Sequence, residues 1–101
     1  MVLNANCTVI RTDDNGEYRI INTYPCMWQE TDGYTVRNFG EEKTTGAKIY
    51  IPNVNADVNK GDYVVKGAPD SPDITNALAV TAVTRHDYGS AAMRHIRVIA
   101  E

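Results

Sequence analysis

The sequence predicts an all-β domain: a small antiparallel β-barrel or sandwich with at most one short helical turn and long loops. Three observations carry this expectation. Alternating runs rich in β-branched residues recur at short spacing, as in "CTVIR", "KIYI", "YVVK", "VTAVT" and "HIRVIA". Clusters of Gly, Asn, Asp and Pro punctuate them. Only the stretch around Ser71 offers a helix start, and no heptad or internal repeat appears.

The first strand is "NCTVIRT", in which Cys7 and Val9 alternate with Thr8 and Ile10. "DDNG", residues 13–16, reverses the chain, because Asn15-Gly16 tolerates the positive φ of a tight turn. "EYRIINTY" returns as its partner, so the chain opens on a β-hairpin. Pro25 interrupts, and "CMWQETDGYTVRN" then reads as two strands around a turn at Thr31-Asp32-Gly33, with Trp28 and Tyr34 on either side. "FGEEKTTG", polar and bounded by Gly40 and Gly46, reads as an exposed mobile loop. Adjacent Glu41 and Glu42 point differently on any regular element, which argues against an acid–base pair.

"AKIYIP" is a strand with Ile49 and Ile51 on one face and Lys48 and Tyr50 on the other, stopped by Pro52. A turn at Asn59-Lys60-Gly61 leads into the strand "DYVVK", closed by Gly67. Ser71-Pro72-Asp73 supplies a cap, a first-turn proline and an early acid, predicting one helical turn that ends near Asn76 or Leu78. "VTAVT", 80–84, and "MRHIRVIA", 93–100, are the last strands, with Ile96 and Val98 sharing a face. The organisation is one β domain over 1–101, with candidate mobile loops at 38–46 and 67–76.

A chain of 101 residues removes about two-thirds of its unfolded surface from water on folding, enough for a core without staples. Its 43% hydrophobic and 23% charged residues are those of a globular chain. Ten Lys and Arg against 13 Asp and Glu give a net charge of −3, which lacks the basic field behind non-specific nucleic-acid affinity. No run approaches the roughly 20 apolar residues that cross a bilayer, and "MVLNANCTVI" has no secretion-signal pattern, so a soluble, cytoplasmically made protein is expected. Cys7 and Cys26 sit in apolar, strand-like runs and are expected to be buried free thiols.

The stretch "RHDYGSAAMRH", residues 85–95, holds both histidines together with Asp87, Tyr88 and Ser90. A hairpin turning around Tyr88-Gly89-Ser90-Ala91 would bring His86 and His95 together by ordinary strand pairing. A zinc site needs a third converging ligand, and histidine ligands usually stand at His-x3–5-His spacing; neither is present. Ser90 lacks the G-x-S-x-G elbow, and there is no P-loop, G-x-G-x-x-G or EF-hand pattern, since "DDNGE" lacks the alternating ligand spacing. No catalytic, cofactor-binding or metal residue is therefore assigned, and the chain is not read as an enzyme. Tyr18, Tyr50 and Tyr63 could form a stacking platform for RNA, but the acidic balance leaves phosphates unneutralised. Protein–protein contact is the better expectation, because Tyr, Trp and Arg suit interfaces and exposed strand edges invite pairing.

Several pieces together add a family resemblance: "NCTVI", Trp28, "AKIYIP", "KGDYVVKG" and "VTAVTRHDYGSAAMRHIRV". In this order the chain resembles small minor structural proteins of tailed phages and prophages of Gram-positive bacteria. It is most like the head-closure or "stopper" β-barrels of the head–tail connector. The resemblance implies a neck protein without cofactors that forms a sixfold ring, links the portal–adaptor complex to the tail and helps retain packaged DNA. Implied partners are other copies of itself, the adaptor and portal, and tail proteins, with DNA touched only in passage or weakly and no membrane involved. Its place would be the virion neck, after assembly in the bacterial cytoplasm. The contact residues that follow are Phe39, Glu41, Glu42 and Lys43 on the first loop, Asp70 and Asp73 on the second, and Arg85, His86, Tyr88 and His95 at the last hairpin. A minor capsid or tail-terminator role is the alternative, and a small nucleic-acid-binding barrel the second.

Overall fold

The computed structural model describes residues 2–37, 40–90 and 93–101, and for 31–45 the backbone alone. Its strands are β1 (Ala5–Thr12), β2 (Tyr18–Arg37), β3 (Gly40–Ile51), β4 (Tyr63–Lys66), β5 (Leu78–His86) and β6 (His95–Ala100). They close into one barrel in the order β1-β2-β3-β6-β5-β4, every neighbouring pair antiparallel. The described residues contain no α-helix, so the fold is all-β as the alternating pattern predicts.

Alternation places the core. Ala47, Ile49 and Ile51 of β3 pair with Ala100, Val98 and Ile96 of the neighbouring β6, and all six are buried in one cluster with Cys7, Val9, Tyr24, Cys26, Trp28, Val64 and Val80. Full burial of each Val or Ile is worth roughly 1.5–3 kcal/mol. On β1, Cys7 and Val9 enter this cluster, whereas Thr8 and Ile10 are fully buried outside it. Buried Thr8 is satisfied on both counts: its hydroxyl donates to Gly67 O (2.8 Å) and accepts from the Thr23 hydroxyl (2.9 Å). The pairing of β1 with β2 shifts between Val9↔Asn22 and Ile10↔Ile20, a bulge that leaves Ile21 unpaired.

The first hairpin turns as expected. Gly16 has φ +79°, and Asp13 Oδ1 accepts the backbone N–H groups of Asn15 (2.9 Å) and Glu17 (3.0 Å). The Asn59–Gly61 turn also forms, with φ +96° at Gly61 and the Asp62 N–H bonded to Asn59 O (3.0 Å).

Three local expectations are corrected. β2 does not stop at Pro25 or turn at Thr31-Asp32-Gly33; it is one 20-residue strand. Pro25 sits where β2 changes partner, since pairing with β1 ends at Ala5↔Cys26 and pairing with β3 begins at Met27↔Tyr50. A missing N–H removes no bond to β3 there. Thr31, Asp32 and Gly33 instead pair with Gly46, Thr45 and Thr44 in a continuous ladder from Met27↔Tyr50 to Arg37↔Gly40, which overrides the local turn preference. For the same reason residues 40–46, read as a mobile loop, belong to β3. Asn38 and Phe39 of that expected loop lie outside the described residues. The helical turn at Ser71–Asn76 is absent as well. Asp73 Oδ1 instead accepts both the N–H (2.9 Å) and the hydroxyl (2.6 Å) of Thr75, and Ala77 N–H bonds to Ile74 O (3.1 Å). An aspartate that satisfies the backbone two residues on competes with helix formation. The connection 67–77 between β4 and β5 is irregular.

These corrections create the main departure from a plain barrel. Pairing of β3 with β6 ends at Ala47↔Ala100, so from Thr31↔Gly46 to Arg37↔Gly40 the β2–β3 ladder has no third strand among the described residues. Seven residues at about 3.3 Å each make a two-stranded arm roughly 23 Å long.

Candidate functional site

The ladder between β5 and β6 ends at His86↔His95, and the two imidazoles stack with centroids 4.6 Å apart and planes 22° apart. The expected hairpin is thus the structural role of "RHDYGSAAMRH", with its turn near Ser90, whose carbonyl accepts from Met93 N–H (2.9 Å); Ala91 lies outside the described residues. His95 Nδ1–H donates to Met93 O (2.9 Å), which in the neutral ring leaves Nε2 as the acceptor. His86 Nδ1 lies 3.3 Å from the Tyr88 hydroxyl, and the Tyr50 ring packs 6.0 Å from that of His95. Asp87 and Arg94 form an exposed ion pair at 3.6 Å. Arg85 reaches back to donate to Ala56 O (3.1 Å). Tyr88 is 65% exposed and Met93 60% exposed. The group presents aromatic surface and hydrogen-bonding edges, the chemistry of a contact patch. Among the described residues, no three His, Cys, Asp or Glu converge as metal ligands.

The other expected contact residues lie elsewhere. Glu41, Glu42 and Lys43 are on the arm, opposite Val36, Thr35 and Tyr34 in register. Phe39 lies outside the described residues. Asp70 is exposed on the β4–β5 connection. Asp73 is committed to its turn, and the Thr75 hydroxyl and N–H hold its carboxyl below the usual range. The arm leaves the barrel beyond Ala47↔Ala100 and the β4–β5 connection enters β5 at Leu78, whereas His86 ends this nine-residue strand. Arm and connection therefore share one pole of the barrel, and the histidine hairpin occupies the other. Of the three tyrosines considered as a platform, Tyr18 and Tyr63 meet edge to face at 5.9 Å, while Tyr50 packs with His95 at the hairpin pole.

The most elaborate polar cluster was not evident in the sequence. Arg11 donates from Nε and Nη2 to the two oxygens of Asp62 (2.9 and 2.8 Å) and from Nη1 and Nη2 to those of Asp57 (3.2 and 2.8 Å). The Asp62 side chain is 6% exposed and also accepts Asn59 N–H (2.8 Å). Its hydrogen bonds from Arg11 hold the Asp57 carboxyl below its ordinary range. These partners stand 46 and 51 positions from Arg11, beyond any spacing rule. Asn4 is similarly long-range, clamping Trp28 by accepting its backbone N–H (2.8 Å) and donating to its carbonyl (3.2 Å). Cys7 and Cys26 are buried and free, as expected, and diagonal across the β1–β2 ladder. The interaction with Cys26, and then burial, pushes the Cys7 thiol up, while the same interaction lowers that of Cys26 against the effect of its burial.

The described residues thus define a small closed antiparallel barrel whose exposed chemistry is divided between two poles, one extended by a β-arm. The chain belongs to DUF6751, a family of unknown function whose model matches residues 2–101. No curated protein and no solved structure matches the chain.

Proposed function

We propose that this protein is a non-catalytic virion subunit of the phage head–tail connector, a head-closure or stopper component that forms a ring, sixfold by the sequence resemblance, between adaptor and tail. The observation that carries the reading is the division of contact chemistry between opposite poles, with the β2–β3 arm at one and the His86–His95–Tyr88 patch at the other. A subunit held between unlike neighbours above and below needs two such ends. The arm's strand edges carry backbone donors and acceptors that a neighbouring copy can pair with, and a head-to-tail contact of this kind closes into a ring when its rotation divides the circle. Each contact is modest, and closure multiplies them. The net charge of −3 suits a collar through which DNA passes without sticking.

Mixing the purified chain with connector complex and imaging the product tests this. Rings are expected from the full chain. A variant in which a two-residue turn joins Glu30 to Ala47, removing the arm, is expected to keep its melting temperature while losing assembly at least about tenfold. Assembly unaffected by arm removal would refute the arm's role. Co-assembly with the tail tube or shell alone would favour the tail-terminator or minor capsid alternative, and salt-sensitive retention on oligonucleotides would favour a nucleic-acid module.

A further inference from the structure

Beyond Ala47↔Ala100 the β2–β3 ladder stands as a two-stranded ribbon, and such a ribbon is at best marginally stable in water until a further strand or a packing surface joins it. The direction of its open backbone groups follows from the barrel. Asn4 accepts the Trp28 N–H and donates to the Trp28 carbonyl, so both groups point away from β3. Trp28↔Ile49 is thus a pair without mutual hydrogen bonds, and no register shift interrupts the ladder from there to Arg37↔Gly40. Successive residues of a strand turn their N–H and C=O to opposite sides. Asp32, Tyr34 and Val36 therefore point theirs to one open edge, and their partners Thr45, Lys43 and Glu41 point theirs to the other. Each edge continues one that a strand covers in the barrel, β1 alongside β2 and β6 alongside β3.

From this geometry we infer that the arm's partner is the arm of a second copy: the β3 edge of one pairs antiparallel with the β2 edge of the next, giving a continuous sheet with two strands from each copy. The inference deepens, and rests on, the ring assembly proposed above. Cyclic symmetry points every arm the same way, and β3 of one copy then runs antiparallel to β2 of its neighbour, as the two do within one arm. The outward residues stand at the same three levels on both edges, so donors meet acceptors at matching spacing. Neither proline nor bulge, two devices that blunt natural edges, occurs in residues 31–37 or 40–46. Asp32, Glu41, Glu42 and Lys43 do put charge in both strands, which keeps the pairing of isolated copies weak. A closed belt of arms leaves no edge open.

Tyr34→Pro removes an outward N–H from the β2 edge and Lys43→Pro one from the β3 edge, and neither takes a bond from the arm's own ladder. The full chain and both variants are followed by native mass spectrometry and amide hydrogen exchange, from dilute protein up to about 1 mM. The wild type is expected to associate, with the amides of Asp32, Tyr34, Val36, Glu41 and Lys43 exchanging at least about tenfold more slowly in the assembly. Each variant alone is expected to stay monomeric, and their equimolar mixture to stop at one-to-one pairs, because it keeps one intact combination of edges. Both should melt as the wild type does, since the arm lies outside the barrel.

A wild type that stays monomeric, edge amides left unprotected in its assembly, or a variant that dimerises by itself, as pairing of like edges would allow, would each overturn the inference. Its failure is separable from that of the neck reading. Protected arms in a chain that ignores the connector complex would leave the pairing standing without the neck, whereas rings on the connector whose edge amides exchange freely would overturn the pairing and keep the neck.

Discussion

Replacing Arg11 with methionine is expected to lower stability by about 3 kcal/mol, seen as a fall of about 15 °C in melting temperature. The loss comes less from the missing attraction than from what remains. Asp62, 6% exposed at its side chain, would keep a buried carboxylate answered only by Asn59 N–H. Removing one member of a buried pair strands the other's charge, whereas a surface pair is worth about 0–1 kcal/mol. Asp57 is 56% exposed, so Asp57→Ala should cost less than about 1 kcal/mol by the same measurement. Arg11→Lys should fall between, because an ammonium cannot offer the forked geometry that meets two carboxylates. Equal losses for Asp57→Ala and Arg11→Met would show that Asp62 is not the group that matters.

The same cluster sets an acid limit. Arg11 holds the Asp57 carboxyl below its unfolded value, and Arg19, through a 2.7 Å bond, does so first for Asp13. A depressed folded pKa contributes stability that is complete above the unfolded pKa, about 3.9, and is lost as pH falls through the folded one. Stability from these two groups should therefore stay level from neutral pH to about 5 and decline below it. Denaturant melts across pH would check this, and a decline already evident between pH 7 and 6 would contradict it.

Ile49→Ala is expected to cost about 4 kcal/mol, a large part of the roughly 5–15 kcal/mol that holds such a domain folded. Ile49 is fully buried, paired with Trp28 of β2 on one side and Val98 of β6 on the other, where neighbours on two ladders cannot collapse into the space. Ile20→Ala, at a position 36% exposed, serves as the control and should cost about 1 kcal/mol or less. Urea melts should show a lower midpoint with unchanged slope. A loss at Ile49 no larger than at Ile20 would mean that the interior is not packed as described.

The barrel strands were legible because burial imposes a period of two, visible in "AKIYIP", "DYVVK" and "HIRVIA" without knowing their partners. The histidine pairing was legible for a related reason, since a turn near Ser90 fixes which residues face each other. The arm was not. Pro25 and Thr31-Asp32-Gly33 carry local signals for stopping and turning, and what overrides them is an eleven-pair ladder whose existence depends on residues up to 23 positions away. The Arg11 cluster was hidden differently: an arginine in a strand and two aspartates near a turn look like solvated surface until the barrel closes.

The strand order carries a consequence for synthesis. The last of these six strands, β6, lies between β3 and β5 and hydrogen-bonds to both. A nascent chain can zip β1 to β2 and β2 to β3 as they emerge, yet the cylinder stays an open, curled sheet until Ala100 has left the ribosome. Closure therefore waits on β6, and until it pairs the facing edges of β3 and β5 are the surfaces that a chaperone or a sister chain can reach.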